Sequence, residues 1–266
     1  MVVIVTGASS GIGKSICELL GSKGHSVYGF SRRKVHESTF ISMQVDITKK
    51  DEILKAFETI YEKEAHIDVV INNAGMGISG SIEDTELMDA KTMFDVNFFG
   101  AFEVIQVALP YLRKQAHTKI INITSLAGVF PIPFQAFYSA SKAALNNFSW
   151  ALQNEVKPFG ISVCAIMPGD VKTGFTSQRK KNTQTTIDYG ARVKKSVATM
   201  EKDEQNGMPP IVIAQKVASL IKKKHMPIQV TVGTKYKALL FLKRIISSTF
   251  ANRLLGSMYG FFKHKS

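Results

Sequence analysis

Short apolar runs rich in Val and Ile alternate along the chain with longer stretches whose apolar residues recur at helical spacing. The short runs predict seven strands, over residues 2–6, 26–30, 41–45, 68–71, 119–123, 161–166 and 228–232. The longer stretches predict helices over 12–23, 50–64, 86–115, 136–157 and 210–223, the third long enough to contain a break. Strands that alternate with helices favour crossover connections. We therefore expect an α/β fold with a doubly wound, mostly parallel sheet and helices on both faces.

The strands also carry the pattern of a sheet that is covered on both sides. Val69, Val70 and Ile71 are apolar in succession, without alternating polar residues, which is typical of strands buried on both faces. No internal repeat or low-complexity linker divides the chain. Residues 1–266 are therefore predicted to form a single domain.

Two segments fall outside this alternation. Residues 173–208 are polar and charged, and they follow the sixth predicted strand at the edge where open α/β sheets bind ligands. A long excursion at that edge predicts a substrate lid. Residues 235–266 mix leucines, isoleucines and phenylalanines with basic residues. This mixture predicts one or two amphipathic helices that either pack on the domain or insert into a membrane interface.

The charge of the chain is unevenly placed. The formal net charge is +13, and after Glu204 the chain has eleven Lys or Arg and no Asp or Glu. This basic segment is either a solvated face or a surface for anionic membranes, and nucleic acid is the less expected partner. Cys17 and Cys164 are too few for a disulfide framework or a metal site and are expected in the core. With no basic leader and no uninterrupted apolar span, we expect a cytoplasmic protein.

A glycine-rich loop joins the first strand to the first helix: Thr6-Gly7-Ala8-Ser9-Ser10-Gly11-Ile12-Gly13. Gly7, Gly11 and Gly13 let the backbone turn tightly and approach a pyrophosphate. The helix that begins near Ile12 points its free N–H groups and positive dipole end at the same anion. The spacing GxxxGxG is not the commoner GxGxxG, and a glycine turn that only packs helix on strand is the alternative. Directly after an N-terminal strand, the loop predicts a dinucleotide site.

The end of the second strand distinguishes the two nicotinamide cofactors. A carboxylate there usually binds the ribose hydroxyls of NAD, whereas an arginine accommodates the 2′-phosphate of NADP. Here the chain reads Phe30-Ser31-Arg32-Arg33-Lys34, without an acid. A guanidinium pairs with a phosphate through two hydrogen bonds, so Arg32 and Arg33 predict NADP. Solvated loop charges are the alternative interpretation.

A tyrosine and a lysine lie four residues apart in Tyr138-Ser139-Ala140-Ser141-Lys142, so they share one face of a helix. A neighbouring ammonium lowers the pKa of a phenol, which can then give a proton to an alkoxide or take one from an alcohol. Ser125 ends the fifth predicted strand, where a parallel sheet presents catalytic side chains. A lone serine at that place is otherwise more often a helix cap.

Taken together, these motifs resemble the short-chain dehydrogenase/reductase family, in its smaller single-domain branch, over about residues 1–233. The glycine loop, including Ser9, Ser10 and Ile12, resembles the family's cofactor loop. The resemblance assigns a catalytic tetrad: Asn97, Ser125, Tyr138 and Lys142. It also assigns cofactor contacts to residues after the other strands: Asp46, Asn73, Ala74, Gly75, Pro168, Gly169, Val171 and Thr173. It implies the strand order 3-2-1-4-5-6-7 and a homodimer or homotetramer built on the helices near 86–115 and 136–157.

The resemblance also implies roles for the tetrad. Tyr138 would be the general acid/base, Lys142 would lower its pKa and hold the nicotinamide ribose, Ser125 would orient the substrate, and Asn97 would support a water-linked proton relay. One position departs from the pattern. Many NADP-using members carry Lys or Arg where this chain has Ser10, so the NADP prediction depends on Arg32 and Arg33.

The substrate is expected to be a small hydrophobic carbonyl compound or alcohol. Phe130, Pro131, Ile132, Pro133 and Phe134, between Ser125 and Tyr138, predict an apolar pocket, although they could simply pack beneath the lid. With the apolar tail they favour a steroid, retinoid, long-chain ketone or sphingoid-type lipid. The alternative function is a non-catalytic NADP-binding or redox-sensing protein. Such proteins tend to lose the tyrosine or the lysine, and this chain has both.

Overall fold

Seven parallel strands form the central sheet of the computed structural model, which describes residues 1–36, 39–182 and 185–259. The strands are β1 (Val2–Thr6), β2 (Ser26–Ser31), β3 (Ile41–Gln44), β4 (Val69–Asn72), β5 (Lys119–Ile123), β6 (Ser162–Pro168) and β7 (Gln229–Val232). Their order is β3-β2-β1-β4-β5-β6-β7, and every pair of neighbours is parallel. The doubly wound fold and the strand order predicted from the sequence are confirmed.

Ten α-helices accompany the strands within the described residues. They are α1 (Gly11–Ser22), α2 (Lys50–Glu64), α3 (Leu87–Phe94), α4 (Gly100–Leu112), α5 (Ala136–Val156), α6 (Phe175–Gln178), α7 (Gly190–Gln205), α8 (Pro210–Ile221), α9 (Thr234–Lys243) and α10 (Ser248–Met258). The strand pleat divides the core between the two faces of the sheet. Val3 and Val5 pack on the side of α1 and α8, whereas Val2 and Ile4 pack on the side of α2, α4 and α5. The expected burial of both faces is thus observed along β1.

The break in the predicted helix over 86–115 is a π-helical turn at Asp95–Phe99, between α3 and α4. Such turns are rare and are frequently found at functional sites. By length and composition, the continuous 26-residue helix Leu87–Leu112 could cross a membrane. Of its apolar window, 44% is buried inside the protein. Val104, Ile105 and Ala108 of α4 are among the side chains buried in the core against the sheet.

The segment 173–208 contains more regular structure than its sequence predicts. It holds α6, a two-residue strand at Lys180–Lys181 that pairs with Ile78–Ser79, and the 16-residue helix α7. Val197 and Met200 of α7 are buried, but lysines and glutamates surround them in the sequence and hide the helical period. Residues 183 and 184 of the predicted lid lie outside the described residues.

Both C-terminal helices pack on the domain. Leu239, Leu240 and Leu255 cover a small core of Leu126, Phe130 and Met167 near the carboxyl end of β6. Residues 260–266 of the predicted extension lie outside the described residues. Elsewhere in the core, Cys17 and Cys164 are buried free thiols, and burial raises the pKa of Cys164 to about 12.

Candidate active site

The glycine loop after β1 leaves no room for side chains at its turning points. Gly7 and Gly11 have φ values of +69° and +55°, a region that side chains disfavour. A Cβ on Gly13 would lie 2.3 Å from the carbonyl oxygen of Gly7. At the start of α1, Ser10 makes no side-chain cap, so the first N–H groups of the helix are left for another acceptor. This cradle fits the pyrophosphate of a dinucleotide.

Asn73 fixes the conformation of this loop. Its side-chain nitrogen donates to the carbonyl oxygens of Thr6 at 3.0 Å and Gly7 at 3.3 Å. In return, the Thr6 hydroxyl accepts the backbone N–H groups of Asn73 and Ala74, both at 3.0 Å. The side chain of Asn73, predicted as a cofactor contact, is thus occupied in holding the loop. Thr6 was missed, although its place at the end of β1 pointed to it.

Arg32, Arg33 and Asp46, all predicted to contact the cofactor, lie at the carboxyl edge of the sheet. Arg32 and Arg33 follow β2 and are exposed. Asp46 follows β3, the parallel neighbour of β2, so it emerges at the same carboxyl edge. One oxygen of Asp46 accepts from the backbone N–H and the hydroxyl of Thr48, at 3.0 and 2.8 Å. The two guanidinium groups are exposed to solvent, and they are suited to bind a phosphate next to the glycine loop.

Tyr138 and Lys142 share the inner face of α5, one turn apart. The amine of Lys142 is buried, lies 5.9 Å from the centroid of the Tyr138 ring and donates to the Ile123 carbonyl oxygen at 3.1 Å. Ser125, just after β5, forms a side-chain hydrogen bond with the Tyr138 phenol. The Ser125 oxygen also accepts the backbone N–H of Ala127 at 3.0 Å. Ser125 is thus both a helix cap and a partner of the phenol.

Asn97 lies in the π-helical turn and is buried. Its side chain accepts the N–H of Met76 at 2.8 Å and donates to the Met76 carbonyl at 2.9 Å and to the Ser141 hydroxyl at 3.1 Å. Gly75 lies between Asn97 and Lys142. A Cβ on Gly75 would be 3.3 Å from Asn97 Oδ1 and 3.5 Å from Lys142 Nζ. The structure therefore brings all four predicted tetrad residues to one edge of the sheet.

Burial dominates the electrostatics of the tyrosine and the lysine. It raises the pKa of Tyr138 to about 12, against a lowering contribution from the hydrogen bond with Ser125. It lowers the pKa of Lys142 to about 8. The sequence predicted that the ammonium would lower the pKa of the phenol, but Lys142 is not among the groups that shift it. The Lys142 amine donates to the Ile123 carbonyl instead.

The sequence comparisons agree with this geometry. Residues 1–184 match a family model described as short chain dehydrogenase. A 3-ketodihydrosphingosine reductase from Bacteroides thetaiotaomicron is 40% identical over 235 residues, which cover 87% of this chain and 87% of the relative. The chain belongs to the short-chain dehydrogenase/reductase family. It is therefore an oxidoreductase of a family that acts on small molecules.

Other members of the family match nearly the whole chain. A probable short-chain type dehydrogenase/reductase, VdlC, from Helicobacter pylori is 34% identical over 261 residues, or 94% of this chain and 95% of the relative. A crystal structure of a short-chain dehydrogenase from Streptomyces avermitilis has a TM-score of 0.82 at 26% identity, covering 96% of this chain and 95% of that one. The closed form of a serine dehydrogenase complexed with NADP+ has a TM-score of 0.75 at 25% identity, covering 87% and 94%.

After β6, the chain passes along the same edge of the sheet as the rest of the site. Pro168 ends β6, Val171 forms a bridge with Met208, and a Cβ on Gly11 would lie 3.3 Å from Cβ of Thr173. Gly169 is the tightest point, because a Cβ there would lie 2.1 Å from the ring of Tyr236. This segment, which the family resemblance assigns to cofactor contacts, therefore faces the glycine loop.

Tyr236 of α9 holds this segment in place. Its hydroxyl accepts the backbone N–H of Asp170 at 3.0 Å and donates to the Asp170 carboxylate. Burial and this carboxylate raise the pKa of Tyr236. Tyr236 was not predicted from the sequence, since nothing distinguishes it from the other tail residues until α9 is placed beside β6.

A buried arginine near Tyr138 was also missed. Arg179 follows α6 and is 5% exposed, and its guanidinium pairs with Glu204 of α7. Phe175 contacts both groups, with 5.6 Å from its ring to the Tyr138 ring and 5.6 Å to the Arg179 guanidinium carbon. The charge of Arg179 lowers the pKa of Tyr138 and that of Glu204 raises it. In the sequence, Arg179 is one cation in a polar stretch.

Proposed function

We propose that the protein is an NADPH-dependent reductase of a ketone on a long, apolar substrate. The observation that carries this proposal is the convergence of Ser125, Tyr138, Lys142 and Asn97 beside the glycine loop. When bound, the cofactor would supply the hydride that reduces the carbonyl carbon. Reduction is proposed as the direction because cells keep NADP mainly reduced.

The chain's own residues account for the proton that the oxygen requires. Tyr138 would donate its phenolic proton to the substrate oxygen, because a phenol is protonated at neutral pH and can protonate the alkoxide that develops as the hydride arrives. Ser125, already a partner of the phenol, would hold the same oxygen by a hydrogen bond. Lys142 would bind the ribose hydroxyls, and Asn97, fixed by Met76, would support the return of a proton from water.

The choice of NADPH over NADH is proposed from Arg32 and Arg33, which are exposed after β2, where residues 30–34 contain no Asp or Glu. Reversal of one charge should repel the 2′-phosphate. We expect Arg32→Asp to lower kcat/KM for NADPH by about tenfold or more, the effect of losing a charged hydrogen-bonded pair. Lys23→Asp, the same charge change at the far end of α1, is the matched control. Equal use of NADH and NADPH by the unmodified protein would contradict the proposal.

The substrate class is proposed from two observations. The relative at 40% identity is named a 3-ketodihydrosphingosine reductase, and the Phe175 ring packs against the Tyr138 ring, which gives the site an apolar side. NADPH oxidation should therefore be tested with 3-ketodihydrosphingosine and with a water-soluble short-chain ketone. We expect a kcat/KM at least about tenfold higher for the long chain, because each buried CH₂ contributes about 0.8 kcal/mol. Turnover of the short ketone alone would exclude a lipid substrate.

We also propose that the protein is a cytoplasmic homodimer or homotetramer. Phe99, in the π-helical turn, and Trp150, on α5, are exposed aromatic residues on the helices that the family resemblance assigns to the interface. Phe98 and Phe148 join these two helices through a T-shaped contact of 5.7 Å. Light scattering after gel filtration should give a multiple of the 29.3 kDa chain mass, and a mass of one chain would contradict the assembly.

A further inference from the structure

The helices α9 and α10 present apolar and basic side chains to solvent on one hairpin. We propose that this hairpin binds the surface of an anionic lipid bilayer. We call it the α9–α10 surface and define it by its exposed residues: Lys235, Lys237, Phe241, Leu242, Arg244, Ile245, Phe250, Arg253, Leu254 and Met258. The proposal goes beyond the reductase activity and does not depend on it.

The apolar part of the α9–α10 surface is not explained by packing. The inner side chains of the hairpin, such as Leu239 and Leu255, already cover the core next to Phe130. Four others point outward, with exposed fractions of 65% for Phe241, 70% for Ile245, 56% for Phe250 and 54% for Met258. Single exposed apolar residues are ordinary, but several on one short hairpin mark a contact site.

The charge of the same surface identifies the partner. Lys237, Arg244 and Arg253 are exposed, and no Asp or Glu follows Glu204 in the sequence, whereas the exposed Lys235 lies near Asp203. Lys243 is excluded from this set because its amine donates to the Val129 carbonyl and lies 5.2 Å from the centre of the Phe130 ring. Basic side chains that flank exposed aromatic and aliphatic ones suit an interface of anionic head groups over hydrocarbon.

Two other occupants fit these residues less well. In a two-fold contact with a second copy, the same basic patch would face itself, and like charges would oppose association. A nucleic acid would pair with the lysines and arginines through its phosphates, but would leave Phe241 and Ile245 unexplained. The bilayer is the partner that uses both kinds of side chain.

Co-sedimentation with vesicles tests the proposal on the full chain. Vesicles of phosphatidylcholine alone and of phosphatidylcholine with phosphatidylglycerol would be compared at low and high salt. We expect binding to the anionic vesicles only, weakened by salt because the charges are exposed. Binding should fall at least about tenfold in Arg244→Glu/Arg253→Glu and in Phe241→Ser/Ile245→Ser.

The matched control is Lys222→Glu/Lys223→Glu, the same charge change at the exposed end of α8, which should bind like the unmodified protein. Circular dichroism establishes that each variant is folded. An unmodified protein that stays in the supernatant would overturn the proposal, as would a control pair that loses as much binding as Arg244→Glu/Arg253→Glu. Self-association that is abolished by Phe241→Ser/Ile245→Ser, without vesicle binding, would assign the surface to a second copy. Vesicle binding needs no turnover, so a failed reductase assay leaves its outcome intact.

Discussion

The amine of Lys142 lies in a buried environment that disfavours its charged form. It is buried on α5 with a backbone carbonyl as its hydrogen-bond partner, and burial lowers its pKa to about 8 from an ordinary value of 10.5. Between these two values the unfolded chain binds more protons than the folded one. The free energy of unfolding therefore rises with pH across this window, and the lysine destabilises the fold most below pH 8. Such a group is retained for its chemistry and not for stability.

The first prediction concerns this destabilisation of the fold by Lys142. Lys142→Met should raise the free energy of unfolding at pH 7 by up to about 3 kcal/mol, since each tenfold change in proton affinity is worth about 1.4 kcal/mol. The gain should shrink as the pH rises from about 8 and should vanish near 10.5. Urea unfolding of both proteins across this range measures it. Lys23→Met, at an exposed position, should show no such pH dependence, and a constant gain for Lys142→Met would contradict the assignment.

The site residues that could be predicted from the sequence are those whose function depends on a fixed position of the backbone. Gly7, Gly11 and Gly13 were identified because a turn after β1 requires them, and Tyr138 and Lys142 because helical spacing places them together. The pKa of Tyr138 was not predictable, since it depends on burial beneath Phe175 and on the charges of Arg179 and Glu204. Those residues come from distant parts of the chain and meet only in the folded protein.

At the scale of elements, helix α9 packs against the candidate active site at the carboxyl edge of the sheet. Tyr236 fills the space above Gly169, and its hydroxyl binds both the backbone N–H and the carboxylate of Asp170. The C-terminal helix thus positions the segment after β6, which faces the glycine loop. A change on α9 that leaves the ring in place should therefore act on cofactor binding.

The second prediction uses this contact. Tyr236→Phe keeps the ring and removes the hydroxyl, which leaves Asp170 without this partner and should cost about 1–3 kcal/mol of unfolding free energy. We expect KM for NADPH to rise severalfold while kcat changes less, because the reacting groups are untouched. Steady-state kinetics at saturating ketone separate the two constants. The control is Tyr189→Phe, which removes the hydroxyl of a half-buried tyrosine within the predicted lid. An unchanged KM for NADPH in Tyr236→Phe would show that the contact is only structural.

The elements themselves were predictable to different degrees. The inner strands β1 and β4 follow from apolar runs, because a strand buried on both faces needs a series of apolar residues. The edge strand β3 was predicted as well, although its residues are exposed or half-buried. Helix α7 was missed, since only Val197, Met200 and Ser196 are buried among charged residues that face solvent. The short pairing of Ile78–Ser79 with Lys180–Lys181 joins segments about 100 residues apart, and two residues carry no detectable period.

At the scale of the whole molecule, the two faces of the sheet form the core, and its carboxyl edge forms the candidate active site. Both faces are packed apolar core, while the edge brings together residues from the ends of β1, β4, β5 and β6 and from α5. The strand order could be predicted because several motifs in one chain resemble a single family. The position of the C-terminal tail could not be predicted, since packing on the domain and contact with a membrane both require an amphipathic pattern.

The same edge allows one measurement to test the central claim, that Tyr138 supplies the proton for ketone reduction. NADPH-dependent turnover of a long-chain ketone would be compared between the unmodified protein and Tyr138→Phe, with NADPH binding followed by fluorescence. We predict that kcat/KM falls by about 10²–10⁴ in Tyr138→Phe, the usual contribution of general acid catalysis, while the Kd for NADPH changes little. Turnover by Tyr138→Phe at the rate of the unmodified protein would contradict the claim.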